Sequence, residues 1–398
     1  MAKAKNIKVP KRFKFAVAKG NIKYFGRTDM GLICSEVEAT AAGVFTTNRV
    51  RASNVELNKQ KLRSGKGQAV IVNSGNANAC TGEQGIKDTV EMSEMTAKLL
   101  GIRPARTFVC STGVIGAPMP MSKVRKGIKD LTENPGKHSV NDVAKAIMTT
   151  DKFPKVTHRQ IIIGGKKVTV TACTKGAGMI DPNMATMLCF IITDAAVESK
   201  TLKTMLKEVT DETFNTVTVD GDMSTSDTVL IFANGLAGNK PITAKSNSYK
   251  NFKKTLNDIC YELAEMMVKD GEGATKVVEI EVKGAKTKAD AKKAADSIAN
   301  SLLVKTAIYG SDANWGRIIA AVGYSGIPFN AEKVNIWFDN VQVVKNSVST
   351  NSDSRANKIL RKKKIKILID LHSGKSSAKA LTCDLTEEYI KINSEYRT

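Results

Sequence analysis

The stretch Lys175-Gly-Ala-Gly-Met-Ile-Asp-Pro-Asn-Met-Ala-Thr-Met-Leu188 joins a glycine-rich bend to an apolar run, Met187 to Ile192. Gly176, Gly178 and the Pro182-Asn183 pair favour a tight, non-repetitive loop, and the run after it suits a buried strand. A hydroxyl residue, Thr186, stands at the junction. Its hydroxyl can attack the peptide bond that precedes it, and cleavage there would leave Thr186 as a new amino terminus. An α-amine has a pKa of about 7.7–8.0, so such a terminus can act as its own base near working pH. On residue types alone, an ordinary loop entering a core strand is the commoner meaning of this pattern.

Working outward, helical patterns alternate with short apolar runs. Val70–Val72 reads as a strand, and Thr81-Gly-Glu-Gln84 resembles a capping box. From it a helix is expected with Ile86, Val90, Met95, Leu99 and Leu100 on one side, stopped by Gly101. Segments 199–214, 246–269 and 289–303 read as amphipathic helices, the last with Ala291, Ala294, Ala295, Ile298 and Leu302 inward. Strand signals fall at 161–163, 168–171, 187–192, 229–232, 277–282, 334–338 and 365–369. Lys283–Ala291 reads as a charged, exposed connection. Strands interspersed with helices indicate an α/β or α+β architecture.

A length of 398 residues suggests two or three packing units, and 42% hydrophobic with 25% charged residues is ordinary for a globular protein. No apolar run approaches the roughly 20 residues of a membrane span, and the basic start lacks the apolar stretch of a signal peptide, so a cytoplasmic enzyme away from membranes is expected. The seven cysteines are odd in number and form no Cys-x-x-Cys pair, and the three histidines are far apart. Neither a disulfide framework nor a metal centre is signalled. Cys189 and Cys260 sit in apolar patterns and read as core residues. The net charge of +22 invites a nucleic-acid reading, with 358–366 as its densest run. Yet Lys364-Ile-Lys-Ile-Leu-Ile-Asp370 alternates like a strand with one wet face, and aromatics are not interleaved with it, so no nucleic-acid partner is expected. A positive field suits substrates that carry carboxylates.

Several segments could carry chemistry. Cys110-Ser-Thr-Gly-Val-Ile-Gly116 reads as a strand end and a hydroxyl-glycine turn, whose backbone N–H and Thr112 hydroxyl could form an oxyanion hole or be an ordinary turn. Glu272 lies between Gly271 and Gly273, where backbone could approach a ligand. The same segment fails the spacing of a phosphate loop. Asp220 to Asp227 resembles a calcium loop but lacks the glycine at the sixth position and the closing glutamate.

The segment 175–188 resembles the self-cleavage segment of the ornithine acetyltransferase family, the glutamate N-acetyltransferases of arginine biosynthesis. Seven further blocks agree in order: AAGVFTTNRVRA (41–52), IVNSGNANACTG (71–82), CSTGVIG (110–116), VDGDMSTSD (219–227), DGEGATK (270–276), SDANWGR (311–317) and INSEYRT (392–398). Ala177, where the family would carry serine, and Asp181 are small departures that touch no proposed catalytic group. The resemblance implies two mixed α/β lobes with the active site at their junction, and cleavage between Ala185 and Thr186. The products would be an alpha chain, 1–185, and a beta chain, 186–398, assembled as a heterotetramer of two alpha and two beta chains. It implies Thr186 as nucleophile and Thr112 with Gly113 as oxyanion hole. It also implies substrate contacts from Thr149 (Thr150 in reserve), Lys175, Thr186, Glu272, Asn393 and Thr398. Glu272 would pair with the side-chain ammonium of ornithine. The C-terminal residues serve only if that terminus is ordered over the site.

The implied reaction is ping-pong transfer of acetyl from N2-acetylornithine to glutamate, giving ornithine and N-acetylglutamate. No cofactor or metal is implied. Some members also accept acetyl-CoA as donor, and INSEYRT looks like that bifunctional type. A self-processing amidohydrolase or aminopeptidase would share the chemistry until water attacks the acyl-enzyme.

Overall fold

The computed structural model describes residues 6–181 and 187–395. Ala185, Thr186 and Thr398 lie outside them. Among the described residues, the first sheet holds β1 (Phe13–Ala18), β2 (Met30–Phe45), β3 (Lys66–Asn76), β4 (Thr107–Val114), β5 (Lys155–Ile163), β6 (Lys166–Lys175), β7 (Leu188–Thr193) and β8 (Thr228–Ala233). Their order is β4-β3-β2-β8-β7-β6-β5, with β1 on β2. β3–β4 and β7–β8 are parallel pairs and the other pairs are antiparallel. Around this sheet lie α1 (Ser53–Lys61), α2 (Gly82–Leu100), α3 (Met121–Glu133), α4 (Val140–Ala146), α5 (Ser199–Glu212) and α6 (Tyr249–Lys269).

The second sheet contains β9 (Val277–Ala285), β10 (Asn335–Phe338), β11 (Val341–Lys345), β12 (Val348–Ser349), β13 (Lys364–Asp370) and β14 (Ser376–Cys383), in the order β12-β11-β10-β13-β9-β14. It carries α7 (Lys288–Ala299), α8 (Leu302–Tyr309), α9 (Trp315–Gly323), α10 (Asp353–Leu360) and α11 (Glu387–Glu395). The expected two mixed α/β lobes are therefore present.

The run after the bend is apolar throughout because β7 is covered on both faces. Cys189 and Ile191 pack in one core with Leu202 and Leu206 of α5 and Phe252, Leu256 and Ile259 of α6. Leu188, Phe190 and Ile192 pack in another with Phe13, Phe15 and Val143. A strand with one wet face would alternate; one buried on both faces does not. Each such side chain contributes about 1.5–3 kcal/mol of burial. β13 shows the opposite pattern: Ile365, Ile367 and Ile369 are buried, while Lys364 and Lys366 pair with Glu265 and Glu281 outside. The basic run is thus half strand, with Lys362, Lys364 and Lys366 engaged by neighbouring carboxylates.

The boundary expected at residue 186 would not divide the lobes. β7, α5, β8 and α6 follow it in sequence, yet β7 pairs with β6 and β8 with β2. Val277, Leu381 and Cys383 of the second sheet also enter the α5–α6 core.

Local expectations differ in five places. Thr81 makes no capping box; its hydroxyl donates to Asn78 Oδ1, a side chain that itself ties down the start of α2 through Gly85 O and Thr89. The inward face of α2 is Gly85, Thr89, Met92 and Thr96, and Ile86 and Leu99 are exposed. The 289–303 helix breaks at Asn300, and Ser301 caps a new helix that leaves Leu302 exposed. Lys283–Ala291 is mostly ordered, as the end of β9 and the start of α7, where Thr287 and Asp290 form a true capping box.

The Cys110–Gly116 segment also differs. β4 runs through it to Val114, with Gly113 opposite Gly75 of β3. Gly113 has φ +133°, and a Cβ there would lie 2.5 Å from Asn76 N and against the Gly75 backbone. Gly116, at φ +78°, faces open space. Gly113→Ala is therefore expected to lower the urea midpoint by the equivalent of about 1–3 kcal/mol, well beyond Gly116→Ala. Equal losses would mean that β3 moves aside freely.

Candidate active site

The 176–187 bend is closed at its base by the sheet, where Lys175 of β6 pairs with Leu188 of β7. Sequence reasoning placed Lys175 on the loop. In the fold it ends a strand and is only 2% exposed. Its Nζ donates to Thr149 Oγ1 at 2.9 Å and to Thr112 Oγ1 at 3.4 Å. One ammonium thus gathers the end of β4, the loop after α4 and the end of β6. Burial pushes the Lys175 pKa down, and Asp151 opposes that fall.

Behind Lys175 stands a buried ion triad. Lys155 Nζ, on β5, donates to Asp151 Oδ1 at 2.6 Å and to Asp270 Oδ2 at 2.5 Å, and all three side chains are fully buried. Asp151 also accepts the Gly176 N–H at 2.7 Å and the Thr149 N–H at 3.0 Å. Asp270 accepts the Lys152 N–H. Burial alone would raise Asp151, but Lys175, Lys155 and the Gly176 N–H outweigh it and bring the pKa down to about 2. For Asp270 burial wins, and its pKa is raised.

Two residues beyond Asp270, Glu272 faces Lys175 across a cavity of about 100 Å³ that both line, together with Thr112, Gly113 and Thr149. Glu272 is 7% exposed rather than on an open turn, and its N–H donates to Ala177 O at 2.8 Å. A Cβ at Gly178 would collide with the Glu272 carboxylate, so this glycine is what admits it. Asn393 of α11 donates from Nδ2 to Glu272 Oε2 at 2.8 Å, so α11 lies over the site.

The opposite lip was missed in the sequence. Asp220 accepts the Met179 and Ile180 N–H groups at 2.6 and 2.7 Å, and Tyr389 OH lies 3.3 Å from Asp220 Oδ2. Asp220 and Tyr389 both line the cavity. Burial outweighs the two N–H contacts and raises Asp220 to about 6. The 220–227 loop was compared with a calcium loop; the Asp220 and Asp227 carboxylates instead hold backbone N–H groups. Among the described residues no group of His, Cys, Asp or Glu is placed to hold a metal ion. Burial pushes the Cys189 thiol well up, which keeps that sulfur unreactive.

The cavity is therefore lined by the Lys175 ammonium, with the two hydroxyls bonded to it, and by the carboxylates of Asp220, Asp222 and Glu272. It suits a small ligand with both charges, held beside a hydroxyl and a glycine at the end of β4.

A model of the ArgJ family matches residues 14–398. The chain belongs to the ArgJ family. The arginine biosynthesis bifunctional protein ArgJ of Geobacter sulfurreducens is 48% identical over 390 residues, covering 98% of this chain and 99% of that protein. The ArgJ protein of Thermotoga neapolitana is 47% identical, covering 98% and 100%. A crystal structure of ArgJ from Bacillus halodurans, 45% identical, matches with a TM-score of 0.51 and covers 52% of this chain and 98% of its own. No helix among the described residues of this ArgJ chain is long and apolar enough to cross a membrane.

The triad generates a pH prediction. Asp151 has a folded pKa of about 2, below the ordinary 3.8. The stability it contributes is complete above pH 4 and is lost as pH falls toward 2. The gap in unfolding free energy between the protein and Asp151→Asn should therefore shrink by about 2 kcal/mol between pH 5 and pH 2. Denaturant titrations across that range test it, and a gap that widens toward low pH would contradict it.

Proposed function

We propose that the chain transfers acetyl from N2-acetylornithine to glutamate through an acetyl-enzyme on Thr186, after cutting itself between Ala185 and Thr186. The observation that carries this reading is the cavity: Lys175 bonded to both Thr112 and Thr149, facing Glu272 bonded to Asn393, in a member of the ArgJ family. The names of the ArgJ relatives, bifunctional proteins of arginine biosynthesis, support it. So does the Bacillus halodurans chain, which accounts for 52% of this one, as one of two cleaved chains would.

In this reading the Thr186 amine takes the hydroxyl proton as Oγ bonds to the acetyl carbon. Lys175 donates to the Thr112 oxygen, which frees the Thr112 hydroxyl hydrogen, with the Gly113 N–H, for the oxyanion. Collapse breaks the amide bond, and the departing ornithine amine takes the proton. Glutamate then enters, its amine bonds to the acetyl carbon, the ester bond to Thr186 Oγ breaks, and the proton lost by the glutamate amine returns to Oγ through the Thr186 amine. Glu272 pairs with the ornithine side-chain ammonium and Lys175, with Thr149, with the substrate carboxylate; Asn393 and Thr398 complete the amino-acid contacts. Acetyl-CoA serves as a second donor if the chain is bifunctional as its relatives are named. The two products assemble as a heterotetramer of alpha and beta chains in the cytoplasm, without cofactor.

Intact-mass analysis should find chains of 185 and, since 398 − 185 = 213, 213 residues. Thr186→Ala should stay uncut and lose ornithine release from acetylornithine and glutamate. Thr112→Ala should be folded and lose about 10²–10³ in turnover. A single uncut chain with full activity would contradict the reading, as would a Thr112→Ala effect confined to KM.

A further inference from the structure

The lining of the cavity runs against the charge of the chain. The protein carries a net charge of +22 at pH 7. Yet among the described residues that line the cavity Lys175 is the one cation, set against the carboxylates of Asp220, Asp222 and Glu272. Two of those three are engaged by the protein. Glu272 accepts from Asn393 Nδ2, and Asp220 accepts the Met179 and Ile180 N–H groups and lies 3.3 Å from Tyr389 OH. Asp222 is different. Its N–H lies 3.4 Å from Asp220 Oδ1, but its own carboxylate makes no hydrogen bond or ion pair among the described residues. It is exposed while lining the cavity, so it stands at the mouth.

The Asp222 charge nevertheless reaches inward. Burial and the charges of Asp220, Glu272 and Asp222 push the Tyr389 phenol up, which keeps its hydroxyl hydrogen in place for Asp220. The three carboxylates thus share one field on the α11 side of the cavity, while the Lys175 ammonium, only 2% exposed, stands at the inner end. A site so polarised favours a ligand whose carboxylate lies at Lys175 and whose far end is cationic.

Donor and acceptor both bring an α-carboxylate for Lys175 and differ at the far end, where acetylornithine carries an ammonium and glutamate a second carboxylate. We propose that Asp222 is a specificity-determining residue: an unpaired carboxylate at the mouth that favours the cationic donor over the anionic acceptor. The inference rests on the acetyl-transfer reading for the identity of the two amino acids. The basic chain attracts anions from a distance, glutamate included, and Asp222 opposes that attraction at the entrance. It thereby sets the balance between the two half-reactions. Because its carboxylate is hydrated, it acts through a screened field rather than a fixed bond, so its effect is modest and sensitive to salt.

The test compares Asp222→Asn and Asp222→Glu with the unaltered protein, at low salt and in about 1 M sodium chloride. In a ping-pong reaction kcat/KM for each substrate reports its own half-reaction. In Asp222→Asn, kcat/KM for acetylornithine should fall about three- to tenfold, and kcat/KM for glutamate should rise by a similar factor. At the higher salt, where the screening length is about 3 Å, both differences should shrink toward none. Asp222→Glu should stay close to the unaltered protein in both. Opposite signs separate a charge effect from a loosened loop, which would lower both values together. Calorimetric titration with ornithine and with glutamate adds a readout that needs no turnover. In Asp222→Asn the ornithine Kd should rise and the glutamate Kd should fall. Equal changes for the two amino acids, no change in either, or a difference that persists at the higher salt would overturn the inference. Absence of acetyl transfer in the unaltered protein, with the opposite Kd shifts present, would overturn the transfer reading and leave the charge role of Asp222 standing.

Discussion

A lysine with no access to water, Lys155, holds the candidate site together. Two carboxylates in contact with it would repel each other, and each would be costly to bury without a cation. With Lys155 between them and Lys175 adjoining Asp151, the four charges sum to zero inside the fold. The consequence is geometric. Asp151 carries the Thr149 turn and the Gly176 N–H, and Asp270 carries the Lys152 N–H and leads directly into Glu272. Three segments far apart in sequence, at 149–152, 175–176 and 270–272, are placed by one ammonium. Removing any member leaves an uncompensated charge, so the site and part of the stability stand or fall together.

The same economy of contacts runs through the rest of the cavity. Asp220 holds the bend through two backbone N–H groups, and Tyr389 and Asn393 lay α11 across Asp220 and Glu272. The C-terminal helix is thereby fastened to the two carboxylates of the opposite wall. A cut at residue 186 would leave both products in one sheet, because β6 and β7 are hydrogen-bonded neighbours and β8 lies on β2. The two chains would remain one folded body.

Much of this was legible in the sequence, and the rest failed for identifiable reasons. The apolar runs at 187–192 and 229–232 announced strands because both faces of those strands are covered. The alternation at 364–370 announced a one-sided strand. The family motifs brought Thr112, Gly113, Thr149, Lys175, Glu272 and Asn393 to attention, and the fold lines one cavity with all six. The stripe expected on α2 failed because the helix turns Gly85, Thr89, Met92 and Thr96 inward and leaves Ile86 and Leu99 exposed. The triad was not seen, because its members are 4 and 115 residues apart and only the sheet makes them neighbours. The available signal was a lysine beginning β5 opposite Thr174 of β6, a strand buried from Val168 onward. Such a group must find acids, and Asp151 and Asp270 lay inside segments already singled out.

The claim that the triad sets the geometry of the site is tested most directly at Asp270, which bonds Lys155 and the Lys152 N–H and does not line the cavity. The measurement is kcat/KM for acetylornithine in Asp270→Asn, a substitution that keeps size and one acceptor while removing the charge. The account expects a fall of about tenfold or more in a protein that is still folded at the assay temperature, because Glu272 and the Thr149 turn lose their common anchor. Wild-type kcat/KM in a variant whose only change is a lower melting temperature would contradict it.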